Sequence, residues 1–270
     1  MGFPSPKDGS VALVTGASSG IGVEIARRLA ARGHGLALVA RREDRLIELA
    51  AELTKEHDIR AEPFAADLSS PQGRDDLAAR IGEAGLEVHI LVNNAGFGDA
   101  GNFHKTDGER NLRMIELNCG ALTDLQGRYL PPMVERGHGC VINVASMAAF
   151  QPIPSNAVYA ATKAYVLSLS EAVHAELSGI KSGVSLTAVC PGPVKTEFVA
   201  EAGMEGAEDR TPDFIWLTAE QVADAAISGA EKGKRVVVPG LLQRATAVGG
   251  QHMPRSVLLP LAGRAWRSAI

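Results

Sequence analysis

The feature that most constrains this chain is an alternation of short, apolar, β-branched runs with longer runs of helical period. Strand-like runs lie at 10–14, 36–40, 60–65, 88–92, 141–144, 184–189 and 235–238. Between them, 22–32, 43–57, 71–84, about 107–136, 156–178 and 219–232 carry helical patterns. Such an alternation predicts a doubly wound α/β fold, a parallel sheet of about seven strands with helices on both faces. The 270 residues contain no repeat, low-complexity tract or linker, so one domain is expected over 1–270.

The turn after the first strand reads Thr15-Gly16-Ala17-Ser18-Ser19-Gly20-Ile21-Gly22 and opens a helix. Glycines allow a tight turn and close approach of backbone to ligand, and a helix N-terminus offers unpaired N–H groups to a pyrophosphate. The same residues match the G-x-S-x-G elbow of hydrolases, but only about ten residues precede the strand, too few to supply the upstream half of an oxyanion hole. Nucleotide binding is the better expectation. At the end of the second strand an acidic residue would mark NAD(H); here Arg41 and Arg42 stand there, which suits a 2′-phosphate and therefore NADP(H). Asp67, after the third strand, is placed to read an adenine edge or simply to start a helix. Asn93-Asn94-Ala95-Gly96 follows the fourth strand, on the face where such sheets bind ligands, although Asn and Gly there also make ordinary turns. Asn118 lies inside a helical segment, where it either opens the helix around a water or is a satisfied polar residue.

The stretch from Val141 to Tyr165 carries the chemistry. A strand ends at Ser146, Pro152 and Pro154 hold a loop, and Ser155-Asn156 supply N-cap candidates for a long helix. On that helix Tyr159 and Lys163 are four apart and share a face, towards which the loop can fold Ser146. A phenol with an ordinary pKa of about 10 needs roughly 3–4 kcal/mol to act as an acid or base near neutrality. One cation about 5 Å away at an effective dielectric of about 20 supplies roughly 3 kcal/mol. The alternative is an ordinary surface Tyr/Lys pair.

Composition narrows the functional class. Hydrophobic residues make up 46% of the chain, and no run of about 18 apolar residues is present to span a membrane. The opening MGFPSPKDGS has no apolar signal-peptide region, and Cys119, Cys140 and Cys190 are odd in number and far apart, as reduced thiols of a cytoplasmic protein would be. The seven histidines form no metal-binding pattern, so no metal is expected. Net charge is −4, but of 27 basic residues seven follow Glu231 and no acidic residue does. The remaining 20 basic against 31 acidic residues give −11 over 1–231, and the last 39 residues carry +7. An acidic body argues against nucleic acid as a partner. The basic tail with Leu258, Leu259, Leu261 and Trp266 is expected to pack on the body or a second subunit, with contact to an anionic membrane surface as the lesser alternative.

Together these residues resemble the short-chain dehydrogenase/reductase family: TGASSGIG at 15–22, NNAG at 93–96, Asn118, Ser146, Tyr159-x-x-x-Lys163 and PGPVKT at 191–196, in order over about 9–200. ARRED at 40–44 and AVYAATKAY at 157–165 resemble its DltE-like bacterial branch. The resemblance implies a Rossmann-like oxidoreductase that moves a hydride between NADP(H) and a carbonyl or secondary alcohol. Tyr159 would be general acid or base, Lys163 would lower its pKa and hold the nicotinamide ribose, Ser146 would bind the substrate oxygen, and Asn118 would anchor a water. Gly16, Ser18, Ser19, Gly20 and Ile21 would line the phosphate turn, with Arg41 and Arg42 at the 2′-phosphate. Asp67 would hold the adenine and Asn93 the adjacent ribose, with Leu68, Ala95 and Gly96 also binding the cofactor. Pro191, Gly192, Val194 and Thr196 would face the nicotinamide. Relatives commonly form homodimers or homotetramers through the two long helices, here about 107–136 and 156–178.

The segment from about 195 to 216 reads as a substrate lid, with Gly203 and Gly206 as hinges and Phe198, Met204, Phe214 and Trp216 as apolar groups suited to a hydrophobic substrate. Residues from about 240 to 270 form a C-terminal extension. A non-catalytic NADP(H)-binding regulator or scaffold on the same fold is the alternative function, against which stands the complete Ser146, Tyr159 and Lys163 set.

Overall fold

The first strand, β1 (Ser10–Thr15), is buried along its whole length, so both of its faces need a covering layer. Ala12 and Val14 point to one face, where they pack with Ile25, Leu29, Leu46, Leu53, Val222 and Ile227. Val11 and Leu13 point to the other, against Leu77, Ile81, Leu125, Met133 and Leu177. Period-two alternation thus feeds two cores from one strand. Each fully buried leucine contributes roughly 1.5–3 kcal/mol.

The computed structural model describes residues 3–203 and 212–260. With β1 stand β2 (Gly35–Ala40), β3 (Ala61–Ala65), β4 (Glu87–Asn93), β5 (Gly139–Val144), β6 (Val184–Val189) and β7 (Val236–Val237). They form one parallel sheet in the order β3-β2-β1-β4-β5-β6-β7. Helices α1 (Gly20–Ala30), α2 (Glu43–His57) and α8 (Ala219–Glu231) supply one layer. The other comes from α3 (Pro71–Glu83), α5 (Leu122–Glu135) and α6 (Ala157–Gly179). The expected doubly wound sheet is present. Chain progression reverses between β1 and β4, and the crevice at their carboxyl ends is where such sheets bind ligands.

Three elements differ from the sequence expectation. The segment 107–136 divides into α4 (Gly108–Ile115), a π-helical turn (Glu116–Ala121) and α5. The fourth residue of α7 (Phe198–Glu201) ends a short helix after PGPVKT, and α9 (Leu241–His252) returns across the body. In α9 Gly249 and Gly250 weaken helix propensity and hide the pattern, but Gln243 donates to the Ile215 carbonyl (3.0 Å) and fixes it. Gln243, Ala247 and Leu258 of the extension are buried, while Leu241, Leu242, Met253, Val257 and Leu259 are exposed. Leu261, Arg264, Trp266 and Arg267 lie outside the described residues, as do Met204 and Gly206 of the segment read as a lid. Among the described residues no helix is long and apolar enough to cross a membrane.

Candidate active site

Thr15 ties the switch point together. Its hydroxyl donates to the Val92 carbonyl (3.0 Å) and accepts from the N–H groups of Asn94 (2.9 Å) and Ala95 (3.0 Å). The turns after β1 and β4 are thereby held side by side. Gly16 has φ +66°, and a Cβ there would lie 2.7 Å from Nδ2 of Asn94, so both conformation and space require glycine. Ser19, the N-cap of α1, makes no side-chain capping bond, which leaves the first N–H groups of the helix for an anion. These residues line one end of a cavity of about 1090 Å³ that runs along the carboxyl edge of the sheet.

At the same end, the Arg42 guanidinium donates to the hydroxyls of Ser18 (3.0 Å) and Ser19 (2.8 Å), and it pairs with Glu197 (2.7 Å). Arg41 lines the cavity beside it, with Asp67 and Leu68. Asp67 accepts from the N–H (3.0 Å) and hydroxyl (2.7 Å) of Ser69. Its carboxyl is held below the usual range by Ser69 chiefly, and in part by Arg41, against burial. A glycine cradle, an open helix terminus and a guanidinium fixed by two serines fit a dinucleotide carrying a 2′-phosphate.

The other end holds Ser146, Tyr159 and Lys163, all on the cavity wall. Ser146 closes β5 as N-cap of a short 3₁₀ turn (Met147–Phe150), accepting from the Ala148 N–H at 3.1 Å. That turn, which sequence periodicity misses, aims Ser146 at the Tyr159 phenol. Lys163 is 5% exposed; its ammonium donates to the Val144 carbonyl (2.9 Å) and lies 5.8 Å from the Tyr159 ring centroid. The expected lowering of the phenol by Lys163 is not what the folded chain alone produces. Burial pushes Tyr159 up to about 12, and its hydrogen bond with Ser146 offsets only part of that. Burial likewise pushes Lys163 down to about 8. For each group desolvation is the largest influence.

Asn118 sits within the π-helical turn and joins the site from behind. Its amide donates to Phe97 O (3.0 Å) and Thr162 Oγ1 (3.0 Å), and its Oδ1 accepts from Phe97 N–H (3.1 Å). A Cβ at Gly96 would lie 2.8 Å from that Oδ1 and 3.5 Å from the Lys163 ammonium, so Gly96 permits the close approach of the turn after β4 to Asn118 and Lys163. The helix is opened at Asn118, and the side chain is at the same time a satisfied polar group.

Asn93 requires a correction. Its register with Asn143 turns its side chain into the protein, where its amide donates to Asn143 Oδ1 at 2.9 Å. Asn143 in turn donates to Gln126 and Ser170, both at 2.9 Å. The side chain on the cavity wall is that of Asn94, one residue on, because successive strand residues face opposite ways. Ala95, Gly96, Pro191, Gly192, Val194 and Thr196 line the cavity as expected.

Several wall residues escape sequence reasoning. Phe97, Arg110, Ile153, Thr246 and Ala247 lack a motif, and their placement depends on distant packing. Phe198 and Trp216 do line the cavity, and the Phe198 ring stands 5.5 Å from that of Tyr159. Phe214, by contrast, is 73% exposed. Arg110 donates to Asp99 (2.8 Å) and the Glu201 carbonyl (2.7 Å), so α7 is fixed to α4 at its far end.

A family model described as short chain dehydrogenase matches residues 10–206. A short-chain dehydrogenase from Sphingobium yanoikuyae, solved in complex with NADPH, superposes with a TM-score of 0.79 and 37% identity, covering 93% of this chain and 95% of that one. The bulky-bulky ketone specific alcohol dehydrogenase from Comamonas testosteroni gives 0.74 and 30%, over 96% and 94%. In sequence, the probable oxidoreductase EphD of Mycobacterium tuberculosis is 33% identical over 237 residues, 83% of this chain. The chain spans 40% of that relative's length. A motif-bearing sheet of this order, matched by the family model over most of its length, makes this chain a member of the short-chain dehydrogenase family.

Proposed function

We propose that the chain is an NADP(H)-dependent dehydrogenase/reductase for an apolar carbonyl/secondary-alcohol pair, with Tyr159 as proton donor in reduction and acceptor in oxidation. The observation that carries this reading is the placing of Ser146, Tyr159 and Lys163 on one wall of a cavity whose other end holds the Gly16–Ile21 turn and Arg42. The nicotinamide, when bound, supplies or accepts the hydride. Ser146 holds the substrate oxygen, and the phenol of Tyr159 gives that oxygen its proton. Lys163, fixed by the Val144 carbonyl, keeps a positive charge beside the phenol and stabilises the phenolate left behind. Asn118 ties the Phe97 backbone to the Thr162 hydroxyl, one residue before Lys163. Arg41 and Arg42 take the 2′-phosphate; a charged hydrogen bond of about 1.5–3 kcal/mol supports a preference for NADP(H) over NAD(H) of roughly tenfold to a hundredfold.

Phe97, Ile153, Phe198 and Trp216 at the catalytic end suit a hydrophobic substrate. The Comamonas enzyme's specificity for bulky-bulky ketones and the NADPH bound to the Sphingobium protein support the same assignment. Exposed Leu112 and Ile115 on α4 and Tyr165 on α6 suit pairing with a second copy of the chain. A panel of ketones with NADPH and of alcohols with NADP⁺ tests the reading, with consumption of NADPH by an apolar ketone expected. Tight NADPH binding without turnover on any of them would favour the non-catalytic alternative.

A further inference from the structure

Glu197 is ion-paired with Arg42 of the proposed 2′-phosphate site. Its two carboxylate oxygens are divided between two guanidinium groups, Arg42 Nη1 and Arg45 Nη1, each at 2.7 Å. Arg42 and then Arg45 hold its carboxyl below the usual range, so it is ionised at neutral pH. Arg42 is fixed from the other side by Ser18 and Ser19, residues of the phosphate turn. Glu197 therefore occupies, from within the chain, the anion position that a 2′-phosphate would take.

Glu197 is also where α7 begins. The next residue, Phe198, packs at a tilt against Tyr159, with ring centroids 5.5 Å apart. The far end of α7 is anchored differently: Glu201 O accepts from Arg110, and Ala202 O accepts from the Ala100 N–H at 3.0 Å. The near end carries two partly exposed and therefore weak ion pairs at Glu197, while the chain just before it is held by the Lys195 N–H on the Leu217 carbonyl at 3.1 Å.

We propose that Glu197 is a specificity-determining latch: it holds the Arg42/Arg45 site closed to anions, yields only to a 2′-phosphorylated nucleotide, and so couples that phosphate to the position of Phe198 over Tyr159. This inference rests on the nucleotide-binding reading above and adds Arg45 and Glu197 to it. A 2′-phosphate and the Glu197 carboxylate repel when both approach Arg42, so one displaces the other. A nucleotide with a free 2′-hydroxyl brings no competing anion there and leaves the latch in place.

The test compares 2′,5′-ADP with 5′-AMP by calorimetry on the wild-type chain and on Glu197→Gln, which keeps the size of the side chain and removes its charge. Glu197→Gln is expected to bind 2′,5′-ADP about fivefold more tightly, as removal of an exposed ion-pair competitor allows, with 5′-AMP unchanged. Hydrogen exchange at 198–203 should rise in the wild type with 2′,5′-ADP but not with 5′-AMP, and should already be raised in free Glu197→Gln. An unaltered ratio between the two nucleotides, or weaker 2′,5′-ADP binding in the variant, overturns the latch while leaving the nucleotide reading intact. Failure of both nucleotides to bind the wild type overturns the nucleotide reading and the latch with it.

Discussion

Tyr159 and Lys163 titrate in directions set by burial: the phenol is pushed up to about 12 and the ammonium down to about 8. Replacing Tyr159 by Phe removes the proposed proton donor and should lower the rate of carbonyl reduction at least about a hundredfold, with NADPH affinity kept; stopped-flow turnover and fluorescence titration read the two separately. In the wild type, Lys163 loses its charge as pH rises through about 8, so kcat/KM for reduction should decline above that value. A profile flat to pH 10 would contradict the role given to Lys163. At the opposite end of the cavity, Arg42→Ala should weaken NADPH binding roughly tenfold and leave NADH unchanged, since only one of them carries the phosphate.

At the scale of elements, the site depends on strands that end in side chains facing opposite ways. Asn93 and Asn143 occupy neighbouring positions on β4 and β5 and turn inward, where Gln126 of α5 and Ser170 of α6 complete the network. Truncating Asn143 to Ala leaves three buried partners with lost bonds, and each unsatisfied group costs about 1–3 kcal/mol. A loss of about 3 kcal/mol in urea unfolding is expected, with NADPH affinity little changed because the network lies behind the cavity. The π-helical turn at Glu116–Ala121 is a second such device: it places the Asn118 amide between Phe97 and Thr162 instead of along the regular helix surface.

For the whole molecule, acid stability reports on the end of the sheet away from the site. His34 is 4% exposed, stands edge-on to Phe3, and has its pKa pushed down to about 4, chiefly by burial. The unfolded chain binds a proton near pH 6.5 while the folded one does not, so the stability from this group is present above that pH. It is lost as pH falls from about 6.5 through about 4. With allowance for solvent screening, the loss is roughly 2 kcal/mol. Burial lowers His89 in the same direction. Denaturant titrations at pH 7 and 4.5 should show the drop, and a smaller one in His34→Gln.

The doubly wound sheet, the phosphate turn at Gly16, the arginines after β2 and the Ser146, Tyr159 and Lys163 set are all legible in the linear chain. Each is a local requirement: apolar period, backbone freedom, or side chains one helical turn apart leave their mark in residue type. Tertiary structure alone decided which asparagine of the 93–94 pair reaches the cavity, that Glu197 would meet Arg42 and Arg45 across some 150 residues, and that Ala247 would close the wall. It also set the sign of the Tyr159 shift. Residue spacing reports only that a phenol and an ammonium share a helix face, whereas the desolvation that raises the phenol exists only once the surrounding chain has excluded water.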